Sequence, residues 1–172
     1  LLEDARELIR GALGWNGELI FTSGASESAA LALGTAIGGA RLVSAVEHES
    51  VLMAAPDAER LPVRPDGALD MDALAEAVDG RERPVMAVQT LNSETGNLMD
   101  IPSIAAAVHA VGGMLVVDAA QSAGKLPIPE QADMVIVSAH KLGGPPGVGA
   151  LLLRDFALLK PSGGQERGYR RG

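Results

Sequence analysis

Five polar clusters hold the residue types in this sequence best suited to chemistry: residues 23–26 (Ser-Gly-Ala-Ser), Glu47-His48, Asn92, Asp118 with Gln121, and Ser138 with His140-Lys141. A lysine amine can form a Schiff base with a carbonyl compound. A poorly solvated carboxylate can hold a proton on a facing base, and a small-residue turn opening a helix offers free N–H groups to an anion. Each cluster alone has a plainer reading. A Ser-Gly-x-Ser turn is usually a helix cap, an aspartate ending a strand often caps the next helix, and a histidine there is usually a surface residue. What favours a joint role is position, because these clusters follow short apolar runs that read as strands.

The elements that must position them follow from hydrophobic spacing. Leu2, Ala5, Leu8, Ile9, Ala12 and Leu13 recur at helical intervals, with Gly14 as the stop. A strand is expected over 18–22, then an alanine-rich helix from the 23–26 turn to before Gly38-Gly39. A strand over 41–46, a helical turn from Ser50 and a strand over 61–63 come next. Asp70 is placed to cap a helix over 71–78. Strands are expected over 85–90, 114–118, 134–138 and 150–153, and a helix over 101–111 carries Pro102 in its first turn. Strands apolar on both faces, alternating with helices, indicate an α/β fold: a mostly parallel sheet with helices on both faces. Ligands of such sheets bind beyond the carboxyl ends of the strands, where the clusters fall. Residues 1–160 read as this α/β domain. Residues 161–172 read as a polar, locally basic tail.

Composition narrows the chemistry. The 172 residues carry 14 basic and 22 acidic side chains, a net charge of −8, which argues against nucleic acid as a partner. Only four aromatics (Trp15, Phe21, Phe156, Tyr169) are present to stack on bases. No apolar run reaches the roughly 20 residues that span a bilayer, and no secretory signal is visible, so a soluble, cytoplasmic protein is expected. The first residue is leucine, not methionine, and the sequence reads as part of a longer chain. Absence of cysteine excludes a thiolate metal site or cysteine nucleophile within these residues. No metal site is expected, since His48, His109 and His140 share no ligand spacing. The turn 143–149 lacks the Gly-Lys-Ser/Thr ending of a phosphate loop, and no G-x-G-x-x-G opens a helix. Residues 120–124 approximate a hydrolase elbow around Ser122, but Pro127 and Pro129 would break the helix that such an elbow needs.

The combination that fits is a pyridoxal phosphate site, which needs a lysine, an acid for the pyridine nitrogen, a phosphate cradle and a flat partner for the ring. Of three lysines, Lys125, Lys141 and Lys160, only Lys141 directly follows a strand end, beside His140 and a glycine-rich turn. Asp118 ends an apolar strand, the helix after 23–26 offers its N-terminus to phosphate, and His48 is placed to stack on the ring.

The stretches FTSGASES, VEHESV, NSETG, VVDAAQSAGKLPI, SAHKLGGPPGVGALLLR and GGQERGYRRG resemble successive motifs of the cysteine desulfurases, in order and over nearly the whole chain. These belong to the class V aminotransferase group of fold-type-I pyridoxal phosphate enzymes. The resemblance implies that Lys141 forms the Schiff base, Asp118 pairs with the pyridinium nitrogen and Gln121 bonds the phenolic oxygen. His48 would stack on the ring and shuttle protons. Ala25, Ser26, Ser138 and His140 would hold the phosphate, with Ser26 standing where the family usually has threonine. Asn92 would help to fix the substrate carboxylate. The resemblance also implies segments not found here: a preceding Asn-Ala-Ala-Thr motif, a partner-subunit phosphate contact, a small C-terminal domain, a mobile loop bearing the nucleophilic cysteine, and a carboxylate-binding arginine. The chain is thus expected to be the large-domain portion of a homodimeric enzyme of iron–sulfur assembly. That enzyme would convert cysteine to alanine and pass sulfur, through its own cysteine, to an acceptor protein. A selenocysteine lyase or a true aminotransferase would share these cofactor residues. A non-catalytic domain of the same fold is the alternative of another class, and the intact Lys141 and Asp118 weigh against it.

Overall fold

Seven strands form, and all join one sheet in the order β1-β7-β6-β5-β4-β2-β3. They are β1 (Glu18–Thr22), β2 (Arg41–Ser44), β3 (Glu59–Leu61), β4 (Val85–Gln89), β5 (Met114–Asp118), β6 (Met134–Ser138) and β7 (Gly149–Leu153) in a computed structural model that describes residues 1–170. Only β7 runs antiparallel to its neighbours β1 and β6; the other pairings are parallel. The expected α/β architecture is therefore present.

Alternate side chains of the central strands feed two cores, one on each face. On one face Met86, Val88, Leu115, Val117 and Val135 pack with Leu74 of α4 (Met71–Val78) and Ile104 of α5 (Ile101–Ala110). On the other, Ala87, Val116, Ile136 and Leu151 pack with Ala29, Ala32 and Leu33 of α2 (Ala25–Thr35) and Val51 of α3 (Glu49–Ala54). β4 through β7 are buried at every position, which is why their sequences show no polar alternation. Asp70 caps α4 as expected, accepting the Asp72 and Ala73 N–H groups.

Three local expectations are corrected. β2 ends at Ser44 instead of running to residue 46, because beyond it the Gln89 N–H on β4 is taken by the Glu47 carboxylate. The strand expected over 61–63 is shifted to Glu59–Leu61, since Pro62 has no N–H to give a ladder. In α1 (Leu2–Leu13) the expected apolar stripe meets the core only in part: Leu2 and Leu8 are exposed, and Arg6 is the buried residue. Ile9 and Leu13 pack against the core. Arg6 is turned inward because it bonds the Leu19 carbonyl and Glu166.

That pair also fixes the tail. Glu166 accepts from Arg6 Nη1 at 2.9 Å and from the Phe21 N–H at 2.9 Å, so it covers a donor on the edge strand β1. Arg167 reaches Glu3 and Glu18, Arg170 reaches Glu27, and Tyr169 stacks on Phe156 with centroids 4.8 Å apart. A mostly polar tail is thus held against β1, α1 and α2 by ion pairs, with Tyr169 adding its one apolar anchor on the core. Arg171 and Gly172, its last two residues, lie outside the described residues.

The strand ends converge where the chain comes close to itself. A Cβ on Gly149 would stand 2.6 Å from Gly24 Cα and 2.8 Å from the Val137 carbonyl, both backbone atoms. Gly149→Ala is expected to cost about 1–3 kcal/mol and to displace the turn before α2. A lowered urea midpoint checks this, and an unchanged one refutes it.

Candidate functional site

At the carboxyl edge of the sheet lies a cavity of about 870 Å³, lined by residues from the ends of β1, β4, β5 and β6 and from the loop entering β7. Chain direction explains why polar residues gather there. Strands β1, β2, β4, β5 and β6 all run towards this edge, and antiparallel β7 departs from it. The cavity brings together Ala25, Ser26, His48, Asp118, Gln121, Ser138, His140 and Lys141. Asn92 is not among its lining residues. Its Oδ1 accepts the Glu94 and Thr95 N–H groups at 2.9 Å, and its Nδ2 donates to the Val46 carbonyl at 3.3 Å. A short side chain folded into its own turn is held off the cavity.

The turn from β1 into α2 is held from below. Thr22 Oγ1 donates to the Gly24 carbonyl at 3.2 Å and lies 2.9 Å from Ser28 Oγ, whose hydroxyl then supplies the proton between them. Gly24, the N-cap of α2, has φ 151° and offers no side-chain acceptor, so the first turn of α2 keeps its N–H groups available to a ligand. On the opposite wall Ser138 Oγ and His140 Nδ1 are 2.9 Å apart. Gly143, at φ 86°, ends the short helical turn that carries Lys141.

Asp118 is only 8% exposed. Burial raises its pKa above the ordinary carboxylate value, against the Ala120 N–H and the positive charges of His48 and Lys141. One carboxylate oxygen is committed to Ala120 N at 2.8 Å. His48 is exposed, caps α3 and accepts the Ser50 N–H on Nδ1 at 3.1 Å, which puts the proton of its neutral ring on Nε2.

Ser122 is buried, lies outside the cavity lining and is followed by turns rather than a helix, as expected for a residue that is no elbow nucleophile. Gln89 and Glu27 line the cavity without having been singled out as site residues from sequence. Gln89 had a signal, being the lone polar residue ending an apolar strand. Glu27 had none, since its partner is 143 residues away.

Glu47, beside His48, is buried at 6% exposure. Its Oε1 accepts the Gln89 N–H at 3.0 Å, and its Oε2 lacks a hydrogen-bond partner. Burial pushes its pKa up to about 8, opposed by the Gln89 N–H, with the Asp118 charge adding to the rise and the Ser44 hydroxyl opposing it. Below its unfolded value, 4.5, Glu47 is protonated in both states. Between 4.5 and about 8 the native state holds a proton that the unfolded chain has lost, so stability falls as pH rises and levels above about 8. Urea midpoints measured from pH 5 to 9 should fall more steeply for the native sequence than for Glu47→Gln. Parallel profiles would mean that Glu47 is charged throughout.

Comparisons with known proteins bear on the family and the fold. The family described as "Aminotransferase class-V" matches residues 1–166. A cysteine desulfurase of Frankia sp. (strain EuIK1) is 39% identical, covering 90% of this chain and 44% of the relative. A NifS-like protein from Rickettsia africae superposes with a TM-score of 0.89 at 27% identity, over 99% of this chain and 52% of the other. A structure of SspA in complex with cysteine gives 0.86 at 30% identity, over 99% of this chain and 55% of the other. The chain spans about half the length of the relatives it matches. With that match over residues 1–166 and a sheet shared with these structures, the chain belongs to the class-V aminotransferase family.

Proposed function

We propose that the full-length protein is a pyridoxal phosphate-dependent cysteine desulfurase and that residues 1–160 are its cofactor-binding domain, with 161–172 leading towards the parts that complete the reaction. The single observation that carries this reading is one cavity holding Lys141, the buried Asp118 and the first turn of α2. Similarity to cysteine desulfurases and to a protein whose structure is in complex with cysteine supports the substrate.

The residues fit the cofactor on their donor chemistry. Lys141 is the lysine of the cavity; Lys125 instead donates to the Gln121 carbonyl on an exposed turn. Asp118 Oδ1 is taken by Ala120, which leaves Oδ2 for a ring N–H. The N-cap of α2 is a glycine, and a capping side chain there would compete with a phosphate.

When bound, pyridoxal phosphate supplies an electron sink for charge developing on the substrate carbon. Lys141 Nζ would hold it covalently, and as a free amine it would accept and return a proton at that carbon. Asp118 Oδ2 keeps the proton on the ring nitrogen, because a carboxylate poorly reached by water gains most from a facing cation. His48 stacks on the ring face with Nε2 as its proton-bearing nitrogen. Gln121 bonds the phenolic oxygen. The Ala25 and Ser26 N–H groups, with Ser138 and His140, hold the phosphate. Asn92 gives up its long bond to Val46 to meet the substrate carboxylate. Sulfur passes to a cysteine outside these residues and on to an acceptor protein of iron–sulfur assembly, in a cytoplasmic homodimer. Among the described residues no helix is long and apolar enough to cross a membrane.

The test is product analysis on the full-length protein. Cysteine with a reductant should yield alanine and sulfide in equal amounts, through a persulfide on an enzyme thiol. Preference for selenocysteine, or amino transfer to a keto acid without sulfide, would replace this reading with a lyase or an aminotransferase. No reaction with bound cofactor would favour a binding domain.

A further inference from the structure

Glu27 places a negative charge at the turn proposed to receive a phosphate. Its carboxylate curls back over the start of α2, where Oε2 accepts the Ser23 N–H at 2.6 Å, and the residue lines the cavity. An anionic side chain in the first turn uses the helix dipole itself and repels a second anion at the same place. One side chain offsets it. Arg170 Nε donates to Glu27 Oε1 at 2.5 Å and Nη2 donates to Oε2 at 3.0 Å, a fork matched to the carboxylate. Both side chains are about one quarter exposed, so solvent screens the pair only in part.

Arg170 is not a loose arm. Its N–H and carbonyl pair with Gln165, and the neighbouring Glu166, half-buried, bonds Arg6 and the Phe21 N–H. Tyr169 is stacked on Phe156. Glu166 and Arg167 adopt positive φ values of 47° and 59°, a conformation that non-glycine residues hold only where surrounding contacts impose it. The negative charge of Glu166 further favours the Arg170 cation.

We propose that Arg170 is a positioning residue for the anion-binding turn, neutralising Glu27 so that the first N–H groups of α2 can receive a dianionic phosphate. This rests on the cofactor reading above and goes beyond it, because it ties phosphate affinity to the docked tail. The charge argument makes the two partners unequal. Loss of Arg170 leaves a bare carboxylate beside the phosphate, whereas loss of the Glu27 charge leaves only an attractive cation.

The experiment measures equilibrium affinity of the cofactor-free full-length protein for pyridoxal phosphate and for pyridoxal, which lacks the phosphate, by absorbance titration. Arg170→Gln should weaken pyridoxal phosphate about 10- to 100-fold, the scale of a charge-assisted hydrogen-bonded pair, and leave pyridoxal within about twofold. Glu27→Gln alone should not weaken pyridoxal phosphate. The double variant Glu27→Gln/Arg170→Gln should return to within about threefold of the native affinity. Equal losses from both single variants, no recovery in the double, or a matching loss for pyridoxal would reduce the pair to a structural tie and overturn the proposal. Unchanged affinity in Arg170→Gln would do the same. Failure of the native protein to bind pyridoxal phosphate at all would remove the cofactor reading beneath it.

Discussion

Lys141→Ala in the full-length protein should abolish the visible absorbance of the covalently held cofactor and leave the far-ultraviolet circular dichroism unchanged. The expected loss of turnover is at least about 10²–10⁴-fold, the contribution of a positioned proton-transfer group alone, before loss of the covalent tether is counted. Structural damage is not expected, because Lys141 sits in a short helical turn at the cavity rim and contributes nothing to either core. Lys125→Ala is the matched control. Lys125 is exposed, lies in the turns after β5 and bonds only a backbone carbonyl, that of Gln121, so its removal takes away a lysine that is not among the cavity-lining residues. Retention of the band in Lys141→Ala, with its loss in Lys125→Ala, would reverse the assignment.

Asp118→Asn should weaken cofactor retention roughly 10²- to 10⁴-fold, since removing one partner of a buried ion pair costs about 3–5 kcal/mol. The substitution separates two roles. The introduced amide oxygen can still accept the Ala120 N–H now held by Oδ1, so a residue that serves only to cap this turn would tolerate the change. A residue that holds a proton on the ring nitrogen cannot, because the amide has no negative charge to offer. The change should also slow every step that needs the ring as an electron sink, and the bound cofactor should titrate at lower pH. Equal retention and equal turnover in Asp118→Asn would return Asp118 to the role of a cap.

These two positions were legible in the sequence because their context is local. Asp118 closes the run Met-Leu-Val-Val, and Lys141 follows Met-Val-Ile-Val-Ser through His140. A short apolar run bounded by polar residues specifies a buried strand and its end with no knowledge of neighbours. The same holds for Asp70 before α4 and for the glycine stop after α1, where capping geometry is settled within a few residues. The parallel sheet followed from strands apolar on both faces.

Other features needed the folded chain. Helical spacing in α1 made Leu2 and Leu8 look like a core stripe, yet spacing says only which residues share a face, not which face meets the sheet. Contacts from Leu19 and Glu166 turned Arg6 inward instead. Asn92 lies in the expected loop, but its Oδ1 is held by its own turn and its donor Nδ2 is turned to the Val46 carbonyl. The tail is mostly polar, and only its ion pairs with Glu3, Glu18 and Glu27, the bonds of Glu166 and the Tyr169–Phe156 stack show why it is ordered.

By itself, then, the sequence determined the strands, the helices and the types of group available at the strand ends, because propensity, period and capping act over a few residues. The tertiary structure alone decided which groups meet. Glu27 and Arg170 are 143 residues apart, and Arg6 and Glu166 are 160 apart. Strand order and the direction of β7 bring such pairs together, and both are set by packing energies summed over the whole sheet.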